Sequence, residues 1–297
     1  MVKQYVSKNT WAPGIFDGKV VFCTGGAGDI CSGQVEALVS LGANAVILGR
    51  RQEATQKRAS EIAAIRPGAQ VLGLGGIDVR SVQALEGAVA TTIEKLGRID
   101  FVICGAAGNF LSTVENLSAN AFKSVIDIDL LGSYNTVKAT LAEVKKRKGR
   151  YLFVSATMHY TGMPYQSHAI AAKAAIDALS GALSIELGPY GVTSNTLAPG
   201  PIAGTEGMAR LAQASQLDKL TRNIPLQRMG EVSDIADATV FLFSPAANWI
   251  TGTGIVVDGG AWRRQSNHEP YPEIVMSGEP VADVAGQKGK HLQRAKL

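Results

Sequence analysis

The stretch Val20-Val21-Phe22-Cys23-Thr24-Gly25-Gly26-Ala27-Gly28-Asp29-Ile30-Cys31 sets an apolar, β-branched run directly against a glycine-rich turn that opens a helical pattern. A strand entering such a turn and leaving as a helix places unpaired backbone N–H groups and the positive dipole end at one point. Glycines there let a pyrophosphate approach the backbone closely. A tight structural turn has the same local composition, so the surrounding pattern must decide between the two.

Outward from this stretch, short β-rich runs alternate with longer helical ones. Val20 to Thr24, Ala45 to Leu48, Val71 to Leu74, Phe101 to Cys104, Tyr151 to Ser155, Val192 to Leu197 and Ile255 to Val257 predict strands. Ile30 to Leu41, Glu53 to Ile65, Val82 to Leu96, Ala119 to Lys145, Ala169 to Leu187 and Val232 to Phe243 predict helices. Parallel strands need such crossovers, so the order predicts an α/β fold: one doubly wound, Rossmann-type parallel sheet of about seven strands with helices on both faces. No linker divides the pattern. We therefore expect one domain over residues 16–262, an N-terminal extension over 1–15 and a tail over 263–297. Thr205 to Pro225 interrupts the alternation with a short helical excursion, where a substrate cover is plausible. The tail is broken by Pro270, Pro272 and Pro280 and is expected to be loosely ordered.

Composition narrows the function. The 297 residues are 46% apolar and 18% charged, which excludes a disordered or coiled-coil chain. A net charge of +4 is too slight to predict nucleic-acid binding, and Lys145-Lys146-Arg147-Lys148 reads as a solvated helix end. Cys23, Cys31 and Cys104 fall in or beside apolar runs, so buried thiols in a reducing compartment are expected. No metal-ligand spacing, secretory core or membrane-length apolar run is present. The ending Ala295-Lys296-Leu297 is similar to the Ser-Lys-Leu address read by the peroxisomal import receptor.

The second predicted strand ends in Leu48-Gly49-Arg50-Arg51, about 20 residues past the glycine turn, where an NAD site places an acidic group on the ribose. A guanidinium there pairs a 2′-phosphate instead, so NADPH is the expected cofactor.

At these positions the chain resembles the short-chain dehydrogenase/reductase family. The glycine turn (Gly25, Gly26, Gly28, Asp29, Ile30) is similar to the family's pyrophosphate loop. Asp78-Val79 matches its adenine contact, and Ala198-Pro199-Gly200-Pro201-Ile202 with Thr205 matches its nicotinamide-side loop. Thr251-Gly252 through Val257-Asp258-Gly259-Gly260 matches its last strand. With Arg50, Arg51, Ala106 and Lys173 these are the cofactor residues the resemblance implies. Asp29 and Cys31 depart from the usual glycines, and an acid beside phosphates is electrostatically unfavourable. The family's Tyr-x-x-x-Lys ends at Lys173 but has Ala169 for its tyrosine, and Ala156 stands for its serine. An alcohol dehydrogenase with a tyrosinate base is therefore not expected.

Ala106-Ala107-Gly108-Asn109-Phe110, Asp127-Ile128-Asp129, Pro199 to Ile202 and the last three residues resemble a branch of this family acting in peroxisomes. That branch reduces 2,4-dienoyl thioesters of coenzyme A to 3-enoyl thioesters with NADPH, in the β-oxidation of unsaturated fatty acids. Hydride delivered at the δ carbon pushes charge onto the thioester oxygen, and a proton must reach the α carbon. No alcohol forms, so the missing tyrosine does not imply a dead enzyme. The resemblance implies Lys173 on the nicotinamide ribose, Asp129 in a water-linked proton route, and a homodimer or homotetramer. It also implies Asn109 and Phe110 at the acyl group, with Arg80, Ser118, Asn120 and Arg210 around the CoA. Asp127, two residues from Asp129, must face elsewhere on a helix. His168, a lone histidine near a helix start, reads first as a cap or packing residue, with an acid/base role the less favoured reading. Two alternatives remain at this stage: a carbonyl reductase for 3-oxoacyl thioesters, and a non-catalytic NADPH-binding regulator or scaffold.

Overall fold

The computed structural model describes residues 10–211 and 217–264. In chain order it contains β1 Val20–Thr24, α1 Asp29–Ser40, β2 Asn44–Leu48, α2 Gln52–Ala63, β3 Val71–Leu74, α3 Val82–Leu96 and β4 Phe101–Cys104. Then follow α4 Ala119–Ile126, α5 Gly132–Arg147, β5 Arg150–Val154, α6 Met158–Thr161, α7 Ser167–Leu187, β6 Thr193–Pro199, α8 Glu206–Leu211, α9 Leu217–Arg222, α10 Val232–Phe243 and β7 Gly254–Val257. Every strand pairs in parallel, in the order β3-β2-β1-β4-β5-β6-β7. The expected architecture is present, with element ends shifted by one or two residues.

Alternation along the strands builds the core. Val21 and Cys23 of β1 enter one buried cluster, beneath Val35 and Leu38 of α1 and Ile235 and Val240 of α10. Phe22 between them enters the other, with Val102, Phe153 and residues of α3, α5 and α7. Successive side chains on a strand point to opposite faces, so a continuous apolar run is what a sheet covered on both sides requires. Helix ends follow local chemistry: Ser81 caps α3 by accepting from the Ala84 N–H, and Gly97 stops it at φ +77°. No described helix is long and apolar enough to cross a membrane.

The expected single helix over Ala119 to Lys145 is instead α4 and α5 joined by a π-helical turn over Asp127–Leu131. Such bulges concentrate at functional sites because they redirect a side chain. The turn buries Asp129 completely and leaves Asp127 partly exposed, bonded to Lys123.

Strand order reverses between β1 and β4, which opens a crevice beyond their carboxyl ends. Phe101 at the base of β4 stacks on Phe243 of α10 at 4.7 Å and meets the edge of Phe16 at 5.6 Å. Phe101→Ala should destabilise the fold by about 3–5 kcal/mol. Chemical denaturation checks this, since a loss below 1 kcal/mol would mean the ring is dispensable.

Candidate active site

The glycine turn lines the crevice. Gly25 has φ +67°, and a Cβ there would lie 2.7 Å from the Gly105 carbonyl at the end of β4 and 2.8 Å from the Ala106 nitrogen. Only a glycine lets the two strand ends approach so closely. The N-cap of α1, Gly28, supplies no side chain to the helix start, whose N–H groups remain available to an anion. From here a cavity of about 410 Å³ runs outward past Arg50, Arg51, Asp78 and Val79. Arg50 and Arg51 are exposed. Their guanidinium groups make no hydrogen bond or ion pair among the described residues. Arg80 Nε donates to both oxygens of Asp78 at 3.0 Å, and this bond holds the Asp78 carboxyl below its ordinary range, with help from the nearby charges of Arg80 and Arg50. A backbone cradle with basic side chains at its outer end fits an anionic dinucleotide.

A second cavity of about 370 Å³ shares Gly25, Gly28, Gly105 and Ala107 with the first and continues inward to Asp129 and Lys173. Asp129 Oδ1 accepts the Gly108 N–H at 2.7 Å. Lys173 Nζ donates to the Val154 carbonyl at 2.9 Å and stands 3.2 Å from Asp129 Oδ2. That last approach is a charge contact outside hydrogen-bond alignment, so Oδ2 keeps its lone pairs available. Lys173 projects from α7 between the buried, small Ala169 and Ala172. One turn further along α7, Asp177 Oδ2 lies 2.9 Å from His159 Nε2 and accepts from Tyr160 OH at 3.1 Å, a cluster that ties α6 to α7.

The loop after β4 is clamped onto the start of α7. Asn109 Nδ2 donates to Gln166 Oε1 at 2.7 Å, and the Ser112 N–H donates to the Tyr165 carbonyl at 2.9 Å. Phe110 stacks on His168 at 4.2 Å. Burial pushes the His168 imidazole below its ordinary value, while the Phe110 backbone and the Asp129 charge oppose that shift. Neither of its ring nitrogens completes a well-formed hydrogen bond. The stack, with complete burial, makes His168 a packing residue behind the loop.

Of the expected site residues, the two cavities bring together Gly25, Gly28, Asp29, Ile30, Arg50, Arg51, Asp78, Val79, Ala106, Asn109, Asp129, Lys173, Pro199, Gly200, Ile202 and Thr205. Gly26 lies beneath the turn, where an added Cβ would meet Ile47 at 2.6 Å. Arg80, Ser118 and Asn120 are exposed and line neither cavity. Ser118 caps α4 by accepting from the Ala121 N–H, and Arg210 lies on α8. The sequence reading missed Gly108, whose N–H orients Asp129, and Gln166, which holds Asn109. It also missed Met158 and Glu206 on the cavity walls. Gly108 lies within the Ala106 to Phe110 stretch that carries the resemblance but was given no role there; Gln166, Met158 and Glu206 fall in no quoted motif.

The family model described as enoyl-(acyl carrier protein) reductase matches residues 25–261, spanning both cavities. A crystal structure of a short chain dehydrogenase from Bacillus anthracis is 33% identical, with a TM-score of 0.73 over 82% of this chain and 96% of that one. The chain belongs to the short-chain dehydrogenase/reductase family. Its relatives include the peroxisomal 2,4-dienoyl-CoA reductase SPS19 of Saccharomyces cerevisiae, 54% identical over 92% of this chain and 94% of that one. The peroxisomal 2,4-dienoyl-CoA reductases of Danio rerio (39% identical, 86% of each chain) and Arabidopsis thaliana (35%, 96% of this chain and 98% of the other) are similar throughout. Membership in the family makes the crevice a nicotinamide-cofactor site.

Gly25→Ala should raise the dissociation constant of the cofactor at least about tenfold, because a left-handed φ costs a residue with a Cβ roughly 1–2 kcal/mol before the clash with Gly105 is counted. Fluorescence titration of NADPH measures it; an unchanged constant would contradict the close approach.

Proposed function

We propose that this chain is a peroxisomal enzyme that reduces 2,4-dienoyl-CoA to 3-enoyl-CoA with NADPH as cofactor. The observation that carries this reading is the set of relatives bearing that activity in their names, from 54% identity in yeast to 35% in a plant, each aligned over most of both chains. The Ala295-Lys296-Leu297 ending, which fits recognition by the peroxisomal import receptor, lies outside the described residues.

The site chemistry agrees with this activity. Bound in the crevice, NADPH supplies two electrons as hydride. Reducing a carbonyl to an alcohol calls for a proton donor at the new oxygen, the task of the family's tyrosine. Here that position is Ala169, buried at the cavity wall. Reducing a dienoyl thioester creates no alcohol, so what the protein must supply is positive potential near the thioester oxygen and a proton for the α carbon. The Lys173 ammonium, anchored by Val154, supplies the potential and holds the nicotinamide ribose. Asp129 Oδ2 and Asn109 Oδ1 are buried acceptors without hydrogen-bonded partners among the described residues. Two such acceptors in one cavity can hold a water that gives a proton to the α carbon, while Asp129 orients that water and relays a replacement proton from solvent to the hydroxide left behind. The clamp through Gln166 fixes Asn109 and thus the loop that borders the acyl group.

Arg50 and Arg51 support NADPH over NADH, since both present free guanidinium groups at the ribose end of the crevice. Replacing both by Ala should weaken NADPH binding about tenfold or more and leave NADH binding within twofold. Equal losses for both cofactors would remove the phosphate role.

For the reaction itself, NADPH oxidation should proceed with a 2,4-dienoyl-CoA and not with a 3-oxoacyl-CoA. Asp129→Asn should lower kcat by about 10²–10⁴-fold, the usual worth of a positioned proton-transfer group, while largely sparing NADPH binding. Turnover of the 3-oxoacyl thioester, or full activity of the variant, would overturn the reading.

A further inference from the structure

Asp29 sits in the glycine turn, where its charge opposes that of a bound pyrophosphate. Its carboxylate is committed elsewhere: Asp29 Oδ2 accepts the backbone N–H of Glu206 at 2.7 Å, across 177 residues of chain. Glu206 is the first residue of α8, so this N–H is one that the helix leaves without a partner of its own, and a carboxylate there is favoured by the helix dipole. Two further donors of that turn are satisfied by Thr205, whose Oγ1 accepts from the Met208 N–H at 3.3 Å and whose carbonyl accepts from the Ala209 N–H at 3.1 Å. Thr205 Oγ1 in turn donates to the Ile202 carbonyl at 2.9 Å, tying this wall of the inner cavity to the end of β6. Asp29 ties the same wall from the opposite side. Both Asp29 and Glu206 line that cavity, so a single hydrogen bond joins the first residue of α1 to the first residue of α8 across it.

We propose that Asp29 is a positioning residue that pins the start of α8 against the glycine turn and thereby slows departure of the cofactor. Its hydrogen-bond acceptance does this, and its charge works against it. The inference rests on the reading of the crevice as a nicotinamide-dinucleotide site.

The two contributions separate by substitution. Asp29→Asn keeps a carbonyl-type acceptor for the Glu206 N–H and removes the charge; Asp29→Ala removes both. The full-length chain is loaded with NADPH and the dissociation rate read by stopped-flow fluorescence on displacement with excess NADP⁺. The proposal expects Asp29→Ala to release NADPH about tenfold faster than wild type, and Asp29→Asn to release it within twofold of wild type or more slowly. In the cofactor-free chain, amide hydrogen exchange over Glu206–Leu211 should accelerate in Asp29→Ala and much less in Asp29→Asn. Slower release from both variants alike would show the charge to be the whole effect and overturn the proposal. Unchanged release and exchange in Asp29→Ala would overturn it too. Failure of the wild-type chain to bind NADPH at all would sink the cofactor reading, and with it the claim on release, while the exchange comparison would still decide whether Asp29 pins α8.

Discussion

A lysine ammonium and an aspartate carboxylate buried together hold this site in shape. Removing either ion from water costs several kcal/mol, and mutual attraction offsets that only where the remaining hydrogen-bonding capacity is also met. Here the Val154 carbonyl accepts from Lys173 and the Gly108 N–H donates to Asp129 Oδ1, while Oδ2, outside hydrogen-bond alignment with the ammonium, keeps open capacity toward the cavity. The pair therefore ties together the end of β5, the loop after β4, the π-helical turn and α7. Each element reaches its place only if the others do, and the inner cavity is the space this arrangement leaves in front of Asp129 Oδ2.

That arrangement also accounts for a family member without the family's phenol. A tyrosine at position 169 would put a proton donor beside Lys173. Ala169 leaves the wall apolar, and the polar groups facing the cavity beside it include Asp129 and Asn109. The π-helical turn is the structural means to that end, because it turns the Asp129 side chain inward while Asp127 stays toward solvent with Lys123.

The glycine turn illustrates a different relation between sequence and function. An acid at position 29 looks ill-suited to a phosphate site when only its neighbours in the chain are considered. Its partner, the Glu206 N–H, is distant in sequence and belongs to a short helix with no motif of its own. Ser118 presents the reverse case: a residue whose resemblance implied a substrate contact serves as the cap of α4. Both outcomes depend on which donors and acceptors the fold brings within 3 Å or so, and side-chain type alone is silent on that.

The sequence by itself determined the parallel sheet, the place of the crevice and the Arg50-Arg51 run after β2, while the family resemblance supplied the observation that Ala169 stands where a tyrosine is usual before Lys173. These follow from periodicity, glycine at positions of close backbone approach, and residue identity at fixed spacing, all of which are local. Tertiary structure alone decided the π-helical turn that buries Asp129, the Gln166 clamp on Asn109, the burial of His168 behind Phe110, and the reach of Asp29 to α8. Hydrogen bonds and packing across tens to hundreds of residues are set by where whole elements come to rest, and no local pattern encodes them.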